Sequence, residues 1–180
     1  MLFSTVAGTS SAPTTHVSAL KTTRNAELIE KQEQDRRLNN IIIHGISEER
    51  TDTSVSIQEQ DRNFIKSFLE TIEVDVEPKQ VLRLGAASAD KKRPVKVILK
   101  NLDDKDNIMS NLNKLRNADT ALRGISVRDD FTQEERKLIR DMNEEAKKKN
   151  EAENVTHWKV RGTPKNGLRV VKVTARNSTY

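Results

Sequence analysis

Two regimes of hydrophobic patterning divide the chain near residue 38. Before it, residues 18–38 place Leu20, Leu28, Ile29 and Leu38 among polar neighbours with no clean heptad, which predicts a polar helix. Residues 1–17, rich in Ser, Thr and Ala, cannot bury a core and are expected to be disordered. After it, Asn40–Ile46 is a β-branched run and reads as a strand. Ile57, Phe64, Ile65, Phe68, Leu69 and Ile72 recur at helical spacing, and Ser56 with Glu59 offers a capping box. Val81–Leu84 is a short strand closed by Gly85. Arg93–Lys100 alternates with period two, so it too reads as a strand. Ile108, Met109, Leu112 and Leu115 mark a second helix started by Asp103 or Asp104. Ile125–Arg128 is a fourth strand. The order is β-α-β-β-α-β over residues 39–130, with two helices against one face of a four-stranded sheet. Residues 131–176 form a smaller α/β unit. There Thr132 and Glu135 make a capping box before Leu138, Ile139, Met142 and Ala146, and two strand-like runs flank Asn166-Gly167, a hairpin signal.

Alternation also assigns the faces. Ile41, Ile43, Leu82, Leu84, Val95, Val97, Leu99, Ile125 and Val127 should face the helices. Ile42, His44 and Ile98 should lie on the open face, bordered by Arg83, Lys96, Lys100 and Arg128, with no acid among them. This is the order of a ferredoxin-like, RRM-like α+β domain, and RNA-recognition motifs bind single strands on that open face. Their aromatic platform is missing here, because the central outward positions hold Ile42, His44, Lys96 and Ile98. Any binding there must therefore rest on phosphate contacts, with weak sequence preference and steep salt dependence. The competing expectation is a solvated sheet on a protein-interaction scaffold.

Charge sharpens the picture at one end. The net charge is only +5, but Val155–Tyr180 carries six Lys or Arg and no acid, whereas Asp129–Glu153 carries nine acids against six bases. A uniformly basic end fits an anionic partner, nucleic acid first, or else a solvated basic tail. With no cysteine there is neither a disulfide framework nor a thiolate metal site. No apolar run approaches the ~20 residues of a membrane span, so no membrane partner is expected. His16, His44 and His157 are scattered, and no phosphate-binding glycine loop or dinucleotide fingerprint is present. No enzyme, cofactor, metal or small-molecule substrate is expected. Trp158 reads as a hairpin anchor or as a stacking platform, and His44 as a base contact or an ordinary surface histidine.

The ordered set RRLNNIIIHGI, VLRLG, RPVKVILK, ISVRDDFTQEERKLI and NVTHWKVRG…LRV resembles the RNA-binding first-open-reading-frame proteins of LINE-type (non-LTR) retrotransposons over roughly residues 35–175. The resemblance implies a coiled coil, a non-standard RRM domain and a small C-terminal domain. It also implies single-stranded RNA or DNA binding, nucleic-acid chaperone activity, and packaging of element RNA into a ribonucleoprotein, cytoplasmic and in part also nuclear. In that family basic residues at the entrance to the first strand contact RNA, which places Arg36 and Arg37. Their bland alternative is a favourable interaction with the helix dipole. An arginine near the start of the C-terminal helix corresponds to Arg136. A strand would run through the cleft between the domains, lined by the hairpin bases Lys159, Arg161 and Arg169. The helix before Asn39 is shorter than the family's trimerising coiled coil, and homo-oligomerisation is expected through that helix.

Overall fold

The computed structural model describes residues 14–48, 54–87, 91–117, 122, 124–153 and 157–173. The protein is α+β, with two antiparallel sheets. Helix α1 spans Thr14–Arg37, so it begins earlier than residue 18, and only residues 1–13 of the expected disordered stretch lie outside the described residues. The chain continues through β1 (Asn40–His44), α2 (Ser54–Thr71), β2 (Gln80–Arg83), β3 (Val95–Ile98), α3 (Leu102–Asn111) with a following 3-10 turn (Leu112–Asn117), and β4 (Ser126–Asp129). The second unit is α4 (Gln133–Ala152) followed by the hairpin β5 (His157–Arg161) and β6 (Arg169–Val173).

The first sheet has strand order β2-β3-β1-β4, with every neighbour antiparallel. Apolar burial explains this arrangement. Ile41 and Ile43 of β1, Val95 and Val97 of β3, and Val81 of β2 meet Ile65, Phe68, Leu69 and Ile72 of α2 and Ile108 of α3 in one core. Ile125, Val127 and Met109 pack against it. Helix α2 thus inserts its apolar stripe into the inner face of the sheet, where burying each large side chain is worth about 1.5–3 kcal/mol. Gly45 closes β1 at φ +96, and its α-carbon lies so near the Gly124 carbonyl that a Cβ could not be inserted.

Three local expectations change. Helix α2 starts at Ser54, so Ser56 is inside it and is not its cap. Helix α3 is capped by Asn101, whose side-chain oxygen accepts from the Asp104 N–H at 2.7 Å; Asp103 and Asp104 instead occupy the first turn, where their charge suits the dipole. In β2 the face assignment is reversed. Leu82 pairs with Lys96 on the outer face, while Val81 and Arg83 pair with the core residues Val97 and Val95. Arg83 therefore points among the helices, its side chain only 5% exposed.

That burial is possible because Asp61 of α2 is also buried and meets it. Arg83 Nη2 lies 2.6 Å from Asp61 Oδ1, and Nε lies 3.1 and 3.0 Å from the two carboxylate oxygens. The remaining guanidinium donors reach the carbonyls of Ile46, Ser47 and Arg93. Nearby, Arg93 grips Glu48, and that hydrogen bond holds the Glu48 carboxyl below the usual range. The Thr132 capping box of α4 forms as the pattern requires, and the buried Thr132 hydroxyl also donates to Glu30 of α1 at 2.5 Å.

Candidate nucleic-acid interface

The outer face of the first sheet has two unlike ends. At one end β1 places Asn40 beside the start of the chain's second unit. Asp130, directly after β4, sits there with its side chain 5% exposed. Its Oδ1 accepts from Arg37 at 3.0 Å, and its Oδ2 accepts from Asn40 at 3.0 Å and from Lys96 at 2.8 Å. Burial raises the Asp130 pKa, but the hydrogen bonds from Lys96 and Asn40 and the charges of Lys96 and Arg37 outweigh it and leave it lowered. The expected acid-free face is therefore corrected: a buried carboxylate holds one of its cations, Lys96, together with Arg37 from the entrance to β1. Asn40 and Ile42 are themselves buried. The adjoining Asp129 takes the buried Lys105 at 2.5 Å, and Lys105 also donates to the Leu38 carbonyl at 2.9 Å. Asp129 and Asp130 are not among the predicted site residues, although a pair of acids at the exit of a basic strand is a signal that the sequence carries.

The other end is open. His44 is exposed opposite Ser126, and Arg128 is exposed opposite Ile42. Partial desolvation, then the charge of Arg128, lowers the His44 pKa. At neutral pH its imidazole is uncharged, and it offers a ring and a hydrogen bond instead of a cation. Arg128 takes part in no salt bridge among the described residues.

The remaining predicted bases disperse. Arg83 belongs to the core side, where Asp61 holds it, and so leaves the outer face. Lys100 lies beyond the end of β3 and pairs with exposed Glu77 at 3.1 Å. Arg36 is exposed on α1 with Glu33 at 3.2 Å, and Arg37 also touches Glu33 at 3.3 Å. Arg136 is exposed in the first turn of α4.

The hairpin brings three bases together. Trp158 and Val160 face the same side as Val170 and Lys172, while Lys159 and Arg161 share the opposite side with Arg169 and His157. The first side packs on α4. Trp158 is half-buried there, Asn150 of α4 accepts from its backbone N–H at 2.5 Å and donates to its carbonyl at 2.9 Å, and Lys149 and Lys172 lie 4.9 and 5.7 Å from the ring centre. Trp158 thus joins hairpin to helix, with two lysines occupying the positions from which a base could stack. The second side is exposed at His157, Lys159, Arg161 and Arg169. Arg161 and Arg169 stand directly across from each other. Like charges directly opposite in a ladder are destabilising unless an anion lies between them.

The cleft between the two units does not have the expected charge. It encloses about 630 Å³ among α1, α3, the start of α4 and the turn after β5. Asp35, Asp106, Asp129, Asp130 and Glu135 line it against Arg37, Lys105 and Lys165, five carboxylates to three cations. Lys159, Arg161 and Arg169 are not among its lining residues. Among the described residues no group of His, Asp or Glu could hold a metal ion, and no helix is long and apolar enough to cross a membrane. No protein-family model and no curated protein matches the chain.

Proposed function

We propose that this protein binds single-stranded nucleic acid without enzymatic chemistry, and that it is the RNA-binding chaperone of a non-LTR retrotransposon, packaging element RNA into a cytoplasmic ribonucleoprotein. The observation that carries the binding is the outer side of the hairpin. Lys159, Arg161 and Arg169 share it with His157, no acid accompanies them, and two arginines face each other across the ladder. A phosphodiester chain supplies the bridging anions that such a pair lacks. Arg128, His44 and Arg136 are further exposed contacts. We read the first unit as ferredoxin-like and RRM-like, a reading supported by its element order and its strand order β2-β3-β1-β4. The retrotransposon assignment, the chaperone activity and the location rest on the motif resemblance.

Phosphate contact without aromatic stacking gives a clear expectation. Filter binding of single-stranded RNA weakens steeply between 50 and 200 mM salt, with little dependence on base sequence. Affinity independent of salt rejects the proposal and favours the protein-interaction scaffold.

Leu28 and Ile29 of α1 are 55% and 63% exposed in the single chain, an apolar pair with no partner in the described fold. They favour self-association through α1. Sedimentation of the full chain should show an oligomer whose population falls when both are changed to Ser. A monomer at high concentration ends that part of the proposal.

A further inference from the structure

We propose that Arg37 and Lys96 form a backbone-phosphate subsite that the Asp130 carboxylate occupies in the free protein, so that strand binding displaces Asp130 and loosens the junction between β4 and α4. This rests on the nucleic-acid reading above and deepens it. Carboxylate and phosphate oxygens are interchangeable acceptors for guanidinium and ammonium donors. Asp130 presents both oxygens to this pair at 3.0 and 2.8 Å. The access is one-sided. Arg37 and Lys96 keep 29% and 20% of their side-chain surface exposed, while Asp130 behind them keeps 5%. A phosphate arriving from solvent therefore meets the two cations before it meets the acid.

Without the two cations Asp130 would keep only the neutral hydrogen bond from Asn40 at Oδ2, a costly state for a buried carboxylate, so it has to leave its place when phosphate takes them. What it would move is not small. Asp130 stands between the last residue of β4 and the N-cap Thr132, whose side chain ties α4 to Glu30 of α1. Arg37 also donates to the Phe131 carbonyl at 3.4 Å. Withdrawing Arg37 from this group releases contacts on both residues before the cap. The internal acid thus sets a threshold: weak or isolated anions leave the junction closed, and a chain of phosphates opens it.

The test uses the full chain, a labelled 20-nucleotide oligouridylate and fluorescence anisotropy across a salt series. Asp130→Asn removes the competing carboxylate, so it should bind about tenfold more tightly at 0.1 M salt with the log–log salt slope unchanged, because both cations already meet phosphate in the wild-type complex. Adding Lys96→Gln to that variant removes one phosphate contact and should make the slope shallower by about 0.7. An Asp130→Asn protein with wild-type circular dichroism that binds no tighter overturns the subsite. Should that variant fail to fold, amide hydrogen exchange on the wild-type protein decides: oligouridylate should speed exchange over residues 131–136, and unchanged or slower exchange overturns the proposal. A wild-type chain that does not bind the oligonucleotide at all removes the proposed function itself, an outcome distinct from either.

Discussion

Asp61→Ala should lower the stability of the protein by about 3–5 kcal/mol in urea unfolding followed by circular dichroism. The substitution removes only a small side chain from α2, and its size alone would not produce such a loss. The cost comes from what stays behind. Arg83 is a guanidinium with 5% of its side chain exposed, and Asp61 takes three of its hydrogen-bond contacts at 2.6–3.1 Å. Without Asp61 a full charge remains in the core side of the sheet, with the carbonyls of Ile46, Ser47 and Arg93 as neutral acceptors and Glu48 at 3.9 Å as the nearest carboxylate. The companion experiment separates charge from packing. Asp61→Leu with Arg83→Met deletes both charges and keeps much of the volume, so it should come within about 1–2 kcal/mol of wild type or exceed it. A single variant as stable as wild type would mean that Glu48 or solvent neutralises Arg83 unaided.

On the hairpin the expected effect lies in binding, with the fold left alone. The triple change Lys159→Gln, Arg161→Gln, Arg169→Gln removes three cations, which should reduce the salt slope for single-stranded RNA by about 2 and weaken binding about a hundredfold at 0.1 M salt. The loss should be the same for every sequence, because the contacts are to phosphate. These side chains are exposed, and the apolar side of the hairpin remains packed on α4 through Trp158. Removing the facing Arg161–Arg169 pair should leave thermal stability unchanged or slightly higher. Weaker binding together with a lower melting temperature would indicate that the bases support the hairpin and do not serve a ligand.

The inward side of β1, β3 and β4 was legible because a one-residue slip would bury Lys96 or Arg128. The order of elements was legible because the apolar period switches cleanly between two and 3.6. Strand β2 was not, because Val81-Leu82-Arg83-Leu84 offers apolar residues in both phases and pattern alone favours turning the arginine outward. The deciding signal lay elsewhere. Asp61 stands four residues before Ile65 and seven before Phe68, on the buried stripe of α2, and an acid there requires a buried base. The candidate site divides in the same way. The resemblance points to Lys159, Arg161 and Arg169 as a group but puts them in the cleft, whereas the hairpin register sets them together on its outer side and outside the cleft lining. The capture of Arg37 and Lys96 by Asp130 depends on contacts spanning 93 and 34 positions, and no local pattern carries those.

The elbow between α1 and β1 is two residues long, and two braces hold it that the proposed subsite leaves untouched: Asn40 to the Arg36 carbonyl and Lys105 to the Leu38 carbonyl. At 24 residues, α1 is a shaft of about 36 Å. Such a joint transmits twist instead of absorbing it. If shafts from several copies bundle, each head inherits its heading from the bundle axis, and neighbouring heads keep a fixed mutual bearing. A strand passing from one head to the next then follows a path laid out in advance, without having to recruit independently swivelling partners.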